Sequence, residues 1–166
     1  MKFATSGPFD SVNFGRGVAR LERSRKDPNV SSHARGILFL CVANSVRSQM
    51  AEGLARALLS DSVRIQSAGT KPGRLHPIAV RVMAEIGIDI SAQRAKPVES
   101  VDPRTVDVVI TLCAEEGCPL FLTSAKWIHW PVADPATAEG DEAERLVRFR
   151  QVRDQLRRRI ATLAID

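Results

Sequence analysis

Short apolar runs, separated by polar and turn-forming residues, recur along most of the chain. Four of them have the length and composition of buried β-strands, and the β-branched residues of VDVVITL define the third one best. The predicted strands cover residues 37–42, 63–68, 106–112 and 127–130. Turn residues follow the second strand at Ala68-Gly69-Thr70, and Pro131 ends the fourth.

Three further segments have apolar residues at helical spacing. The first covers residues 49–59, and the second covers 77–86 with Gly87 as its stop signal. The third covers 141–163, with an apolar stripe that includes Phe149, Leu156 and Ile160. The Arg157-Arg158-Arg159 run near its end favours a solvated helical C-terminus over a nucleic-acid patch.

Strands and helices alternate, which predicts an α/β fold. We expect a three-layer sandwich in which a four-stranded parallel sheet is flanked by helices. Ligands of such sheets bind beyond the carboxyl ends of the strands. Cys41, Cys113 and Asp134 each follow a predicted strand, so all three can meet at that edge.

The segment CVANSVRS joins the first strand to the first helix and combines a nucleophile with an anion site. A strand-loop-helix turn directs backbone N–H groups and the positive end of a helix inward. Arg47 adds a planar fork that can bind two oxygens of a tetrahedral anion, and the same field favours a Cys41 thiolate. Ser48 can donate a hydrogen bond to that thiolate. The predicted oxyanion-binding residues are Val42, Ala43, Asn44, Ser45, Val46, Arg47 and Ser48. The alternative, an inert buried cysteine, leaves Arg47 without an evident partner.

Composition and charge narrow the functional classes. Hydrophobic residues make up 44% of the 166 positions, as in globular proteins, and the longest apolar runs are too short to cross a membrane. Residues 1–35 hold seven Lys or Arg and three acidic residues, and therefore most of the net charge of +5. We expect a basic, disordered extension over 1–35 and one domain over 36–166. For residues 1–35, a targeting peptide and a mis-assigned start of the protein are the alternatives. We expect no nucleic-acid or membrane partner.

The cysteine count points to thiol chemistry. Three cysteines, an odd number, without a secretory signal favour reduced thiols in a cytoplasmic setting over a disulfide-stapled secreted fold. We expect no cofactor and no metal. A zinc site formed by Cys113, Cys118 and His129 is the alternative, and its loose Cys-x4-Cys spacing disfavours it.

The pattern Cys-x5-Arg-Ser, with Ser67-Ala68-Gly69-Thr70 and Asp134-Pro135, resembles the low-molecular-weight tyrosine phosphatase superfamily from residue 36 onward. The resemblance implies that Asp134 is the general acid opposite Cys41. The alternative for Asp134 is an ordinary turn residue before Pro135.

Within that superfamily, the chain is more similar to the thioredoxin-coupled arsenate reductases than to the phosphatases. Gln-Met follows Arg-Ser, where phosphatases usually have Pro, and two further cysteines follow the third strand in TLCAEEGCP. The chain has no tyrosine, and Asp134-Pro135 is followed by Ala-Thr-Ala rather than by aromatic residues that would hold an aryl phosphate.

This resemblance implies a cysteine relay that reduces arsenate to arsenite. Cys41 attacks arsenic, Cys113 attacks Cys41, and Cys118 attacks Cys113, leaving a disulfide for thioredoxin or another thiol reductant. Only four residues separate Cys113 from Cys118, fewer than in the best-known members, so the segment must bend for the pair to join. Two cysteines that are merely buried are the alternative.

Some reductases of this type bind potassium through an Asn, a Glu, a Ser and an Asp. Asn44, Glu52 and Ser67 match the first three, but Lys96 stands at the position of the Asp. We therefore expect the Lys96 ammonium group to support the loop in place of the ion.

Two other functions stay open. The chain could be a phosphatase that acts through a phosphocysteine, with Cys113 and Cys118 protecting Cys41 from oxidation and a phosphate ester as substrate. It could also be an oxyanion- or redox-sensing module whose basic extension binds nucleic acid, although residues 1–35 show no DNA-binding pattern.

Overall fold

A computed structural model describes residues 36–113 and 124–163 of the chain. Four strands, β1 Gly36–Cys41, β2 Arg64–Gly69, β3 Val108–Thr111 and β4 Lys126–His129, form one sheet in the order β2-β1-β3-β4. All three pairings are parallel. The predicted α/β fold class with a four-stranded parallel sheet is confirmed.

Register brings the carboxyl ends of the strands to one edge. Cys41 pairs with Gly69, and Thr111 pairs with both Leu40 and His129. The last residue of β1 is therefore the cysteine that begins the predicted anion loop, and the segments after β2, β3 and β4 surround it.

The α-helices are α1 Arg47–Leu58, α2 Pro77–Ala84 and α3 Glu142–Ala161. Three short 3₁₀ turns cover Val98–Ser100, Pro103–Thr105 and Pro135–Thr137. Among the described residues, no helix combines the length and the apolar composition needed to cross a bilayer.

Alternation along β1 separates two cores. Ile37 and Phe39 face a large apolar cluster shared by all three α-helices, including Met50, Val82 and Leu156. Leu38 and Leu40 face the opposite side, where Val98, Val101 and Val106 cover the sheet. β1 is thus buried on both faces, as expected for a central parallel strand.

Element ends differ from the predicted ones by up to two residues, for local reasons. Helix α2 stops at Ala84 because Gly87 has φ +76° and its N–H bonds the Ala84 carbonyl, which closes the helix. Strand β3 starts only at Val108, because Val106 N–H closes the preceding 3₁₀ turn on Pro103 O. Helix α1 begins at Arg47, two residues earlier than predicted, so the loop runs directly into its first turn.

Helix α3 begins with a capping box. Asp141 Oδ1 accepts the Glu144 N–H at 2.8 Å, and Glu144 Oε2 accepts the Asp141 N–H at 3.1 Å. The predicted apolar stripe is buried at Phe149, Leu156 and Ile160. On the opposite side, Arg157 and Arg158 are exposed, as predicted for this part of the helix.

Candidate active site

Cys41 lies at the end of β1 and is 2% exposed. Its Sγ lies 2.9 Å from Ser48 Oγ and accepts the backbone N–H of Asn44 at 3.2 Å. Because Ser48 Oγ already accepts a hydrogen bond from Asn44 Nδ2 at 2.8 Å, its own proton can point to sulfur. Two donors thus converge on Sγ and stabilise negative charge there.

The loop between β1 and α1 is held in place by N–H groups of a later segment, which bind its outward-facing carbonyl oxygens. The carbonyl oxygens of Val42, Ala43 and Ser45 accept N–H groups from Lys71, Gly73 and His76, at 3.0, 2.8 and 3.0 Å respectively. In a trans peptide the C=O and the following N–H point in opposite directions. The N–H groups of the next residues therefore point inward, as the bond from Asn44 N–H to Cys41 Sγ shows directly.

This arrangement forms an anion cradle at the N-terminus of α1. Inward N–H groups and a helix N-terminus together favour a bound oxyanion. Gly69 allows β2 to approach closely, because a Cβ at that position would overlap the Val42 carbonyl oxygen.

Asn44 has φ +46°, and its side chain organises the loop. Nδ2 donates to the hydroxyl oxygens of Ser48 and Ser67, at 2.8 and 2.9 Å. Oδ1 accepts the backbone N–H of Lys96 at 2.9 Å and Gln49 Nε2 at 3.3 Å. The side-chain amide is therefore fully paired, which stabilises a left-handed conformation that Asn tolerates better than most residues.

Arg47 is 7% exposed and joins the loop to the late part of the chain. One terminal nitrogen donates to Asp134 Oδ2 at 2.8 Å, and the other donates to the carbonyls of Leu112 and Val132, at 3.3 and 3.1 Å. Within the described residues its buried Nε has no hydrogen-bond partner. A donor left unpaired beside the cradle suits a bound oxyanion.

Asp134 lies at the mouth of the site, beside Arg47. Its Oδ1 accepts the Ala136 N–H at 3.0 Å, which caps the 3₁₀ turn Pro135–Thr137, while Oδ2 pairs with Arg47. The carboxyl group is thus fixed on both oxygens. Asp134 thus caps a turn and also pairs with Arg47, and its role as the general acid opposite Cys41 stays a prediction.

Cys113 is 3% exposed and follows Leu112, whose carbonyl accepts a hydrogen bond from Arg47. Cys41 and Cys113 belong to the same buried cluster, so the sheet brings these two thiols to one region. Cys118 and the predicted bend before it lie outside the described residues. His129, the third member of the alternative zinc set, places Nδ1 2.8 Å from Thr111 Oγ1.

Glu52 and the side chains around it support the loop through its contact with Ser67. Glu52 is 4% exposed, and its Oε2 accepts the Ser67 hydroxyl at 2.5 Å. Lys96 Nζ lies 3.6 Å from the same oxygen, and Arg56 pairs with the other carboxylate oxygen at 2.8 Å. The four predicted loop-supporting residues, Asn44, Glu52, Ser67 and Lys96, are therefore brought together.

Two residues of the site escaped the sequence analysis. Gln49 is fully buried, and Nε2 donates to the Asn44 carbonyl at 3.0 Å. His76 caps α2 by accepting the Ile78 N–H at Nδ1, and its ring lies 5.0 Å from the Phe149 ring. The available signals were Gln-Met after Arg-Ser for Gln49 and His-Pro before α2 for His76.

His76 remains neutral more readily than an exposed histidine. Burial, and secondarily the Arg145 guanidinium, lower its pKa, while Asp134 opposes the shift. A neutral ring keeps Nδ1 available as an acceptor for the Ile78 N–H, so the cap beside the loop persists at neutral pH.

The fold and this loop define a class of protein. The sequence profile described as low molecular weight phosphotyrosine protein phosphatase matches residues 36–166, and the chain belongs to this family. Within it, the chain is 43% identical over 130 residues to an arsenate reductase of Halalkalibacterium halodurans. The aligned region covers 77% of this chain and 94% of that relative.

Solved structures agree with this relationship. An arsenate reductase in the oxidized state has a TM-score of 0.68 and 36% identity, covering 78% of this chain and 96% of that chain. A thioredoxin-dependent arsenate reductase of Corynebacterium glutamicum has a TM-score of 0.55 and 28% identity, covering 79% and 64% of the two chains.

Proposed function

We propose that this protein is an arsenate reductase that converts arsenate to arsenite through a relay of Cys41, Cys113 and Cys118. The observation that carries the proposal is the position of Cys41 Sγ at the base of an anion cradle, in a chain related to arsenate reductases. Arsenate is a tetrahedral oxyanion, and the unpaired Arg47 Nε supplies a donor for it.

The first step joins sulfur to arsenic. The Cys41 thiolate attacks arsenic, the bond from arsenic to one hydroxyl oxygen of arsenate breaks, and this hydroxyl group leaves as water after taking a proton from Asp134. The inward N–H groups and Arg47 stabilise the charge on the remaining oxygens. A bound oxyanion also competes with Asp134 for Arg47, which loosens their 2.8 Å ion pair.

The second step reduces arsenic. Cys113 thiolate attacks Cys41 sulfur, the S–As bond breaks, and its electron pair goes to arsenic, so that As(V) leaves as arsenite. The two sulfurs are oxidised to a disulfide. Cys118 then attacks Cys113, which returns Cys41 as a thiolate and moves the disulfide to Cys113 and Cys118.

An external thiol reductant must reopen that disulfide. Thioredoxin is one such reductant, and the similarity to a thioredoxin-dependent arsenate reductase supports this choice of partner. A relay of this kind needs reduced cysteines at the start of each cycle. We therefore propose a cytoplasmic location, where thiols are kept reduced.

Support of the loop by Lys96 is part of the same proposal. The residues present do not suit a potassium ion, since Lys96 replaces a carboxylate and its Nζ lies 3.6 Å from Glu52 Oε2. Asn44 Oδ1 is also occupied by the Lys96 N–H. The ammonium group thus supplies the positive charge beside Glu52.

A single-turnover experiment tests the relay. Fully reduced protein mixed with arsenate, without external reductant, should release about one arsenite and lose about two thiols per chain. Cys118→Ser should release arsenite once, stop with a Cys41–Cys113 disulfide, and fail to turn over with thioredoxin.

Hydrolysis of an aryl phosphate by the same preparations is the control, because it needs Cys41 but not Cys118. No arsenite from protein that hydrolyses the aryl phosphate would overturn the three-cysteine reductase. That outcome would favour the second candidate, a phosphatase, which membership of the phosphatase family supports.

A further inference from the structure

We propose that Gln49 is a positioning residue that holds the peptide between Asn44 and Ser45 in the orientation needed for oxyanion binding. Gln49 lies in the first turn of α1, and its Nε2 reaches back to Asn44 O at 3.0 Å and Asn44 Oδ1 at 3.3 Å. The inference rests on the proposed function only in that the loop binds a tetrahedral oxyanion.

The orientation of this peptide decides which group faces the anion. Since the Asn44 carbonyl is bound by Gln49, the Ser45 N–H points the opposite way, into the cradle. Rotation of the peptide would turn the carbonyl oxygen inward and replace a donor with a repelling partial negative charge. Asn44 has φ +46°, a region that disfavours L-residues, so this peptide needs external support.

Gln49 is the only side chain among the described residues that holds a carbonyl of residues 42–45. The carbonyls of Val42, Ala43 and Ser45 are bound by main-chain N–H groups of Lys71, Gly73 and His76. Substitution of those three residues leaves the N–H donor in place, except with proline. The Asn44 peptide therefore depends on one side chain.

The orientation of the Gln49 amide follows from its partners. Both Asn44 atoms that it contacts are oxygens, so the nitrogen must face them. Within the described residues, Oε1 is buried without a hydrogen-bond partner. This unpaired oxygen offsets part of the stability that the Nε2 hydrogen bonds contribute, so an apolar side chain of similar length costs little here beyond the lost bonds to the loop. Gln49 thus contributes to the loop more than to the core.

This argument gives the proposal a distinctive signature. Gln49→Met removes the unpaired Oε1 but leaves the buried Asn44 carbonyl without its donor, so the melting temperature should fall only modestly, while inorganic phosphate binding weakens roughly tenfold, the effect of losing one or two hydrogen bonds. The KM for arsenate should rise by a similar factor, with a smaller change in kcat. Isothermal titration with phosphate and steady-state kinetics measure both.

Gln66→Met is the matched control, because Gln66 donates a 3.3 Å hydrogen bond to Thr105 Oγ1 away from the loop. This variant should bind phosphate as the unmodified chain does. Gln49→Glu supplies a second test, since its carboxylate would face two oxygens at neutral pH. Phosphate binding should then fall more than in Gln49→Met, and recover in part at acidic pH, relative to the unmodified chain, as the carboxyl group becomes a donor.

Unchanged phosphate affinity in both Gln49 variants would overturn the proposal. A loss of affinity in Gln66→Met as large as that in Gln49→Met would also overturn it, because the effect would then not be specific to the loop. Phosphate titration tests the role of Gln49 independently of whether the protein reduces arsenate. A chain that binds phosphate but never reduces arsenate refutes the reductase and still decides the role of Gln49.

Discussion

At the scale of single residues, the proposed function assigns the place of a potassium ion to the ammonium group of Lys96. The Lys96 Nζ lies 3.6 Å from Glu52 Oε2, and the Lys96 N–H binds Asn44 Oδ1 at 2.9 Å. Glu52 is 4% exposed, and a buried carboxylate needs a positive partner. Lys96 and Arg56 provide that charge from within the chain.

At this scale we predict that arsenate reduction has the same kcat/KM in potassium and in sodium at equal ionic strength. Lys96→Met should destabilise the fold by about 1 kcal/mol, a modest loss because Arg56 remains paired with Glu52. Lys96→Asp should make kcat/KM rise with potassium but not with sodium. A strong potassium stimulation of the unmodified chain would contradict the assignment of Lys96.

At the scale of elements, helices α2 and α3 are joined by an ion-pair cluster at Glu85, the residue that follows α2. Arg150 binds both carboxylate oxygens, at 2.7 and 2.8 Å, and Arg153 adds a bond at 3.2 Å. Hydrogen bonding from Arg150 is the main reason that the pKa of Glu85 falls to about 2. The Glu85 carboxyl group is therefore protonated at a lower pH in the folded state than in the unfolded chain.

The sign of the pH effect follows from this order. The contribution of Glu85 is present above its ordinary pKa of 4.5 and is lost as the pH falls towards 2. Glu85→Gln should lower the free energy of unfolding by about 1 kcal/mol or less at neutral pH, because the pair is partly solvent-exposed, and by less at pH near 2. Denaturant titrations at both pH values measure this. Glu99→Gln, at an exposed position without an ion pair among the described residues, should show no such difference.

At the scale of the whole molecule, the parallel sheet brings distant parts of the chain to one edge. Arg47, on α1, contacts Leu112 after β3 and Asp134 after β4, across 65 and 87 positions of sequence. Every strand, helix and site residue described here lies between Gly36 and Leu163. We therefore predict that residues 36–166 form the functional domain.

Deletion of residues 1–35 should leave the unfolding temperature unchanged and kcat/KM for arsenate within about twofold, because no site residue is removed. Thermal unfolding and steady-state kinetics on the full chain and on the shortened chain compare the two directly. A binding assay with DNA at low and high salt tests the sensing alternative. Salt-sensitive DNA binding that disappears with the deletion would revive that alternative.

The sequence alone was sufficient for the fold class and for the local chemistry of the first loop. Parallel pairing followed from the alternation of strands and helices, because such strands are joined by crossover connections; the strand order came only from the structure. Cys41, Ser48 and Arg47 are close in sequence, so a strand-loop-helix turn leaves them few arrangements. Both features depend on short-range rules of pattern and backbone geometry.

Only the tertiary structure decided the hydrogen bonds between segments that are distant in sequence. From the sequence, Gln49 was only a feature of the family resemblance, whereas in the structure its Nε2 donates to the Asn44 carbonyl. His76 had no predicted role, and in the structure its Nδ1 caps α2. Lys96 was aligned by resemblance, but its distance to Glu52 depends on how β2 and the following segment pack. Periodicity reports which face of an element is apolar; the partner of a buried polar group is set by three-dimensional packing, because each such group must find a donor or acceptor wherever the fold places one.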